Sequence, residues 1–396
     1  MAKRLQSVAL FLTLSLAVSL GACEDSSVDG GEGSESTPAS DVAPEGGEGG
    51  EGGEGGEGAA TKNLNWANTF ENTEVVAEFA SQVVIPKYRQ YVDKTAALSQ
   101  AISAFGQESS PDSLEAARQA WTAARISWEQ TETFAFGPAG LGFDGAMDSW
   151  PINQTDIEQI LASSEPLGQA EVAQLQDTER GMHTIEYLLF GEASSKTVDQ
   201  FTEREKQYLQ ALGQDLNAVA TELLATWESG LGGQPAYKEV LATAGSAENA
   251  VYPTTAAGAQ ELVIGILDSL TEVGEEKLEA PFIAQDVTGL ESRFSYQTLN
   301  DLKSNLKSAE NGYLGRFPEA GAQAKASISS YVASVDPALD QKIQAQFAAA
   351  ESSLAAVPAP LETSLKDPAA ADEIQAAIDA ILQVKETIET QVVPLI

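Results

Sequence analysis

Arg180-Gly-Met-His-Thr-Ile-Glu-Tyr-Leu-Leu-Phe-Gly191 contains His183, the only histidine of the chain, and Glu186 three residues further on. On a helix this spacing puts both side chains on one face. The residues around them are apolar: Met182, Ile185, Leu188, Leu189 and Phe190. A titratable pair set in an apolar helix needs a partner, because burying it alone is costly. That partner is a metal ion, another side chain or a substrate group; a hydrogen-bonded core histidine is the plain alternative.

Outward from this stretch the chain keeps a helical period. Segments rich in Ala, Leu, Glu and Gln place apolar residues three and four apart, and strand-like alternation is scarce. Ser110-Pro111, Asp336-Pro337 and Asp367-Pro368 each pair a capping residue with proline at a first helical position. Helices are predicted over 68–106, with a kink at Pro86, and over 111–135, 154–163, 168–176, 178–190, 197–229, 255–279, 291–313, 319–334, 337–356 and 368–392. Short joins between such helices imply bundles. Gly230, Gly232, Gly233, Pro235 and Pro253 mark a break. It divides an N-terminal bundle, 63–235, from a C-terminal one, 236–396. Trp121–Gly137 and Leu299–Gly315 align at a constant offset, which suggests an internal duplication; chance likeness of two amphipathic helices is the rival.

Three further stretches carry candidate site residues. Trp121, Arg125, Trp128, Glu132 and Phe136 form one stripe, in which two charges alternate with aromatics. A buried Arg125 or Glu132 needs a partner, and Glu129 stands one turn from Arg125. Glu132 is a candidate metal ligand beside His183 and Glu186, with Arg125 orienting a carboxylate. Phe136–Pro151 is Gly-rich and irregular and carries Asp144 and Asp148. The run from Glu291 to Asp301 offers Ser292, Ser295, Thr298 and Asp301. Hydroxyls at such a position are helix caps, or they face the His183 helix across the junction of the bundles.

At the front, Lys3 and Arg4 precede an apolar run, Val8–Leu20, that is too short for an ordinary membrane span. It ends in Leu20-Gly21-Ala22-Cys23, which resembles a bacterial lipobox. Residues 1–22 then read as a lipoprotein signal peptide and Cys23 as the lipidated first mature residue. Cys23 is the only cysteine, so the body has no disulfide or thiolate site. Residues 23–62 form a Gly/Glu-rich tether with Gly-Gly-Glu repeats through Gly46–Gly58, too polar to bury a core. As a flexible coil it spans on the order of 35 Å. The formal charge of -37 argues against nucleic acid and anionic headgroups as partners. Membrane contact is expected through the Cys23 lipid alone.

Four motifs that together span nearly the whole body resemble the imelysin-like family, also called the M75 peptidase family. They are Gly181-x-His183-x-x-Glu186; Trp121-x-x-Ala124-Arg125 running to Thr131-Glu132-x-Phe134-x-Phe-Gly-Pro138; Asp148-Ser-Trp-Pro151; and Phe294-Ser-x-x-Thr298-x-x-Asp301 running to Gly315. The resemblance implies an all-α fold of two helical bundles packed side by side. It implies an exported or lipid-anchored bacterial protein of the cell envelope (outer membrane, periplasmic or surface face), tied to iron regulation or uptake. It also implies a site around His183 and Glu186 at the bundle interface.

The peptidase activity in the family's name is harder to place. Zinc peptidases commonly use two histidines and a carboxylate, whereas this chain has one histidine and neither HExxH nor HxxEH. No nucleophile-elbow sequence supports a serine mechanism at Ser292 or Ser295. One imidazole with carboxylates suits iron or another divalent metal. The expected function is therefore binding of a metal ion, or of an iron-bearing ligand, for uptake. The expected ligands are His183, Glu186 and Glu132, supported by Arg125, Asp148, Ser295 and Asp301, with Gly181 as the motif glycine and envelope iron-transport proteins as partners. The alternatives are a surface binding module with a structural His–Glu pair, and an M75-type peptidase.

Overall fold

A computed structural model of the chain describes residues 64–396. The signal segment 1–22, Cys23 and the tether lie outside the described residues. Three long segments follow from local chemistry alone. Helix α1 (Thr73–Phe79) runs through a widened π-turn, Ala80–Val84, into α2 (Ile85–Gln107). Pro86 has no N–H, and its ring crowds the carbonyl four residues back, so the turn before it loosens rather than breaking. Helix α3 (Pro111–Glu129) is capped by Ser110 in a reciprocal box with Ser113. The predicted helix 111–135 stops at Glu129, and Glu132–Phe134 forms a separate 3₁₀ turn.

The irregular stretch then gives the short helices α4 (Phe143–Asp148), α5 (Gln154–Ala162) and α6 (Gln169–Val172) before α7 (Gly181–Phe190), the His183 helix. Helix α8 (Glu203–Glu228) packs along α2 and α7. The Gly/Pro break holds α9 (Tyr237–Ala242). Helix α10 (Thr255–Thr271) continues through a π segment, Glu272–Glu279, into α11 (Ala280–Ala284), where Pro281 plays the part of Pro86. Helix α12 is Thr298–Leu314, shorter than the predicted 291–313, because 291–297 is a turn with Tyr296 at a φ of 62°. A two-stranded hairpin, β1 (Arg316–Phe317) with β2 (Ala322–Gln323), displaces the start of the predicted helix 319–334, and α13 begins at Ile328 (Ile328–Val335). Helices α14 (Pro337–Ala356), α15 (Leu361–Ser364) and α16 (Ala371–Thr387) complete the chain, with Asp336 accepting from the amides of Ala338 and Leu339.

Among the described residues the fold is all-α apart from that hairpin, as expected. Helices from either side of the Gly/Pro break share one core, and the described residues cluster as one compact unit. Two glycines allow this. A Cβ on Gly265 of α10 would stand 2.1 Å from the Thr133 carbonyl oxygen, and one on Gly312 of α12 would stand 2.3 Å from the Thr133 side chain. The 3₁₀ turn after α3 is therefore gripped between two helices of the second half. Ser308 of α12 donates to the Gln130 carbonyl at 3.0 Å, and Asn305 donates to the Glu129 carbonyl at 3.1 Å. The open C-terminal carbonyls of α3 are thus satisfied from across the chain. Gly137 and Gly315, matched in the duplication alignment, both take left-handed backbone, at φ 59° and 65°.

Candidate functional site

The close packing of α3, α7 and α12 seals a network of charges. Arg125 of α3 is buried and touches four carboxylates. Glu129, one turn on, is 2.7 Å from Nη2, and Glu291 is 2.9 Å from the same nitrogen. Nε reaches Asp301 at 3.2 Å, and Nη1 pairs with Asp148. Burial works against the guanidinium charge, but Asp148, Glu129, Asp301 and Glu291 outweigh it and hold the group firmly protonated. A second cation, Lys277, lies 2.6 Å from Glu272, 3.1 Å from Glu291 and 3.7 Å from Glu129. The π segment makes the first contact: its i→i+5 pitch brings residues 272 and 277 above one another.

His183 stands against the same Asp148 oxygen that Arg125 holds. Its Nε2 is 3.2 Å from Asp148 Oδ1, close but not aligned as a hydrogen bond. Its Nδ1 is 3.2 Å from Glu186 Oε2. The other Glu186 oxygen accepts from the Ser295 amide at 2.8 Å and the Ser295 hydroxyl at 2.7 Å. The Asp148 Oδ2 accepts from Trp128 Nε1 at 2.7 Å. Trp150 covers the imidazole with ring centres 4.8 Å apart, and Phe294 packs beside Trp150. Burial and nearby Arg125 depress the imidazole's pKa, but the carboxylates of Asp148 and Glu186 more than compensate and raise it to about 9. The ring is therefore an imidazolium at neutral pH. Burial raises Asp148, yet Arg125 and His183 bring its pKa below the ordinary value.

Gly181 opens α7 at a φ of 82°, and a Cβ there would stand 2.5 Å from the Met147 carbonyl oxygen. The motif glycine therefore serves close approach: it lets the His183 helix start against the backbone that carries Asp148. On the same helix, Trp121 Nε1 donates to the Met182 carbonyl at 2.9 Å, fixing α7 to α3.

Arg125, Asp148, His183, Glu186, Ser295 and Asp301 all meet here, as the sequence suggested, and the Arg125–Glu129 pair is present. Glu132 does not join them. It lies half-buried toward Glu272, where burial, then Glu272 itself, raises its pKa well above the ordinary range. The end of α3 at Glu129 changes its direction: beyond that residue the stripe no longer follows helical spacing. Ser292, offered by the sequence, donates to Asp301, whereas Glu291 and Lys277 join the network without having been singled out by spacing. Only the isolation of Lys277 in the acidic run 272–279 hinted at its role.

The donor set does not suit a metal ion as it is arranged. Among the described residues no group of three or more His, Cys, Asp or Glu side chains is placed to hold one. Both imidazole nitrogens face carboxylates, and a protonated ring has no lone pair to give. Ser292 and Ser295 donate to Asp301 and Glu186, and neither hydroxyl is hydrogen-bonded to His183. Arg125, His183 and Lys277 face six carboxylates: Glu129, Asp148, Glu186, Glu272, Glu291 and Asp301. Protons make up part of the difference. Burial, only partly offset by Arg125 and Lys277, takes Glu129 to about 8, and burial against Arg125 takes Asp301 to about 6.

These features define an all-helical protein built around a sealed, cross-paired charge network that joins distant parts of one chain. The imelysin model of the M75 peptidase family matches residues 84–388, and the chain belongs to that family. It is 39% identical over 324 residues to iron-regulated protein A of Synechococcus elongatus, covering 82% of this chain and 86% of that protein. Among solved structures it resembles an iron-regulated protein A precursor from Parabacteroides distasonis, at a TM-score of 0.69 and 25% identity over 84% of this chain and 98% of that one. An imelysin-like protein from Psychrobacter arcticum shares the fold, at a TM-score of 0.66 and 15% identity over 80% and 92% of the two chains.

Proposed function

We propose that this chain is a non-hydrolytic binding protein of the iron-regulated, imelysin-like type. It is held outside the cytoplasm by a lipid on Cys23 and handles iron within an iron-bearing ligand rather than as an ion on His183. The iron link rests on the name of its relative in Synechococcus elongatus. The site's part rests on one observation: each imidazole nitrogen stands 3.2 Å from a carboxylate. An imidazolium so held is a clasp. It ties α7 to the Asp148 segment and, through Glu186 and Ser295, to the turn before α12. The exported location is supported by the front of the sequence, and among the described residues no helix is long and apolar enough to cross a membrane. Proteolysis finds no support, because no hydroxyl is paired with the imidazole and the ring is buried.

Elemental analysis of the protein purified without chelators or a His-tag, with thermal melts of wild type and His183→Ala, tests this reading. The expected result is no stoichiometric metal in either protein and a lower Tm in the variant, because two buried carboxylates lose their shared cation. Stoichiometric iron in wild type that disappears in a variant of unchanged Tm would overturn it.

A further inference from the structure

We propose that a depression of about 320 Å³ on the outer side of α3 is a binding site for a small organic carboxylate, with Arg118 as the anion-binding residue. This inference is independent of the proposed function. The volume lies at the lower end of the range for small-molecule sites. Ala123, Ile126 and Phe190 give it apolar walls, Gln119, Thr122 and Gln297 add polar groups, and Glu115 also lines it.

Arg118, which also lines the depression, is fixed before any ligand arrives. Its Nε and Nη2 donate to the Leu189 carbonyl at 3.1 and 2.9 Å, and Nη2 also donates to the Lys196 carbonyl at 2.6 Å. The guanidinium lies 5.1 Å from the centre of the Phe190 ring. Backbone carbonyls and a ring face hold the group in place without neutralising it. Among the described residues no carboxylate forms an ion pair with Arg118, and its Nη1 has no hydrogen-bond partner. Glu115, which shares the lining, is the one acidic influence on Arg118, and its Oε1 accepts from Gln119 Nε2 at 2.9 Å.

A rigid, charged donor beside an apolar wall selects a planar anion with an apolar body, because little ordering cost remains to be met on binding. Gln297 links the depression to the network: it directly follows Ser295 and Tyr296, in the turn that holds Glu186.

Saturation-transfer NMR on the full chain tests the proposal with benzoate and its uncharged analogue, benzamide. Wild type should bind benzoate about tenfold or more tightly than benzamide, the size expected of one charge-assisted hydrogen bond. Ala123→Phe fills the depression without touching Arg118 and should abolish benzoate binding. Gln119→Trp, at an exposed rim position, does the same if the first variant fails to fold. No benzoate binding to wild type at millimolar concentration, equal binding of the two probes, or benzoate binding unchanged in the filled variants would each overturn the proposal.

Discussion

Replacing Arg125 by methionine keeps most of the side-chain volume and removes the one cation shared by four carboxylates. Simple addition of four broken pairs would predict collapse of the fold, but the contacts show why the cost stays smaller. Glu291 keeps Lys277 at 3.1 Å, and Glu129 keeps it at 3.7 Å. Asp148 keeps Trp128 at 2.7 Å and His183 at 3.2 Å, and Asp301 keeps the Ser292 hydroxyl. Members of one network do not add, so the loss is that of one broken buried pair, about 3–5 kcal/mol. For a body of this size that is a Tm drop on the order of 5–10 °C.

The pH dependence carries the sharper test. Without Arg125, burial raises the folded-state pKa values of Glu129 and Asp301 further above their ordinary values, and groups raised in this way cost least when protonated. In wild type Asp148 is depressed, so its contribution is complete above its unfolded value of 3.8 and does not change between pH 7.5 and 5. The raised carboxylates narrow the gap in acid. Urea titrations of Arg125→Met and wild type, followed by far-ultraviolet circular dichroism, should show a difference at pH 5 smaller by at least ~1 kcal/mol than at pH 7.5. A loss under about 1 kcal/mol at pH 7.5, or a gap that widens at pH 5, would show that Arg125 does not hold the network together.

Two further outcomes follow from the same geometry. His183 has a folded pKa of about 9, raised from 6.5, so its contribution is complete below pH 6.5 and is lost as pH rises through 9. Glu129, raised to about 8, pushes the same way from its ordinary value upward. Wild-type stability should therefore fall between pH 6.5 and 9, with His183 alone accounting for about 3 kcal/mol; His183→Gln should flatten that slope, and an unchanged slope in the variant would rule out the imidazolium. Gly181→Ala sets a methyl 2.5 Å from the Met147 carbonyl oxygen at a φ of 82°. It should cost about 2–3 kcal/mol in a urea titration, whereas alanine at an unstrained glycine stabilises by up to about 1 kcal/mol.

Periodicity, caps and prolines were enough to establish an all-helical body, because each acts over a turn or two of chain. Ser110 and Asp336 cap the helices they were expected to cap, and Pro86 loosens the turn before it. The same local rules placed Arg125 on the face of Glu129 and His183 on the face of Glu186. They failed at Glu132, where α3 ends and helical spacing no longer tells direction. They failed also for the hairpin at 316–323, whose residues read as a helix start.

The sequence by itself therefore determined the helices, the faces they bury and most members of the charge network. Only the tertiary structure decided what the network does. With 59 acidic residues in the chain, spacing cannot say which carboxylate meets which cation. A histidine with a lone pair to offer and one clasped as an imidazolium have the same local sequence. The difference lies in Asp148, which approaches Nε2 because Gly181 lets α7 start against Met147. It lies also in the Gly265 and Gly312 contacts that bring Asp301 and Glu291 onto Arg125 from far along the chain. Charge pairing in a low-dielectric interior depends on distances of a few ångströms between distant residues, and those distances exist only in the packed chain.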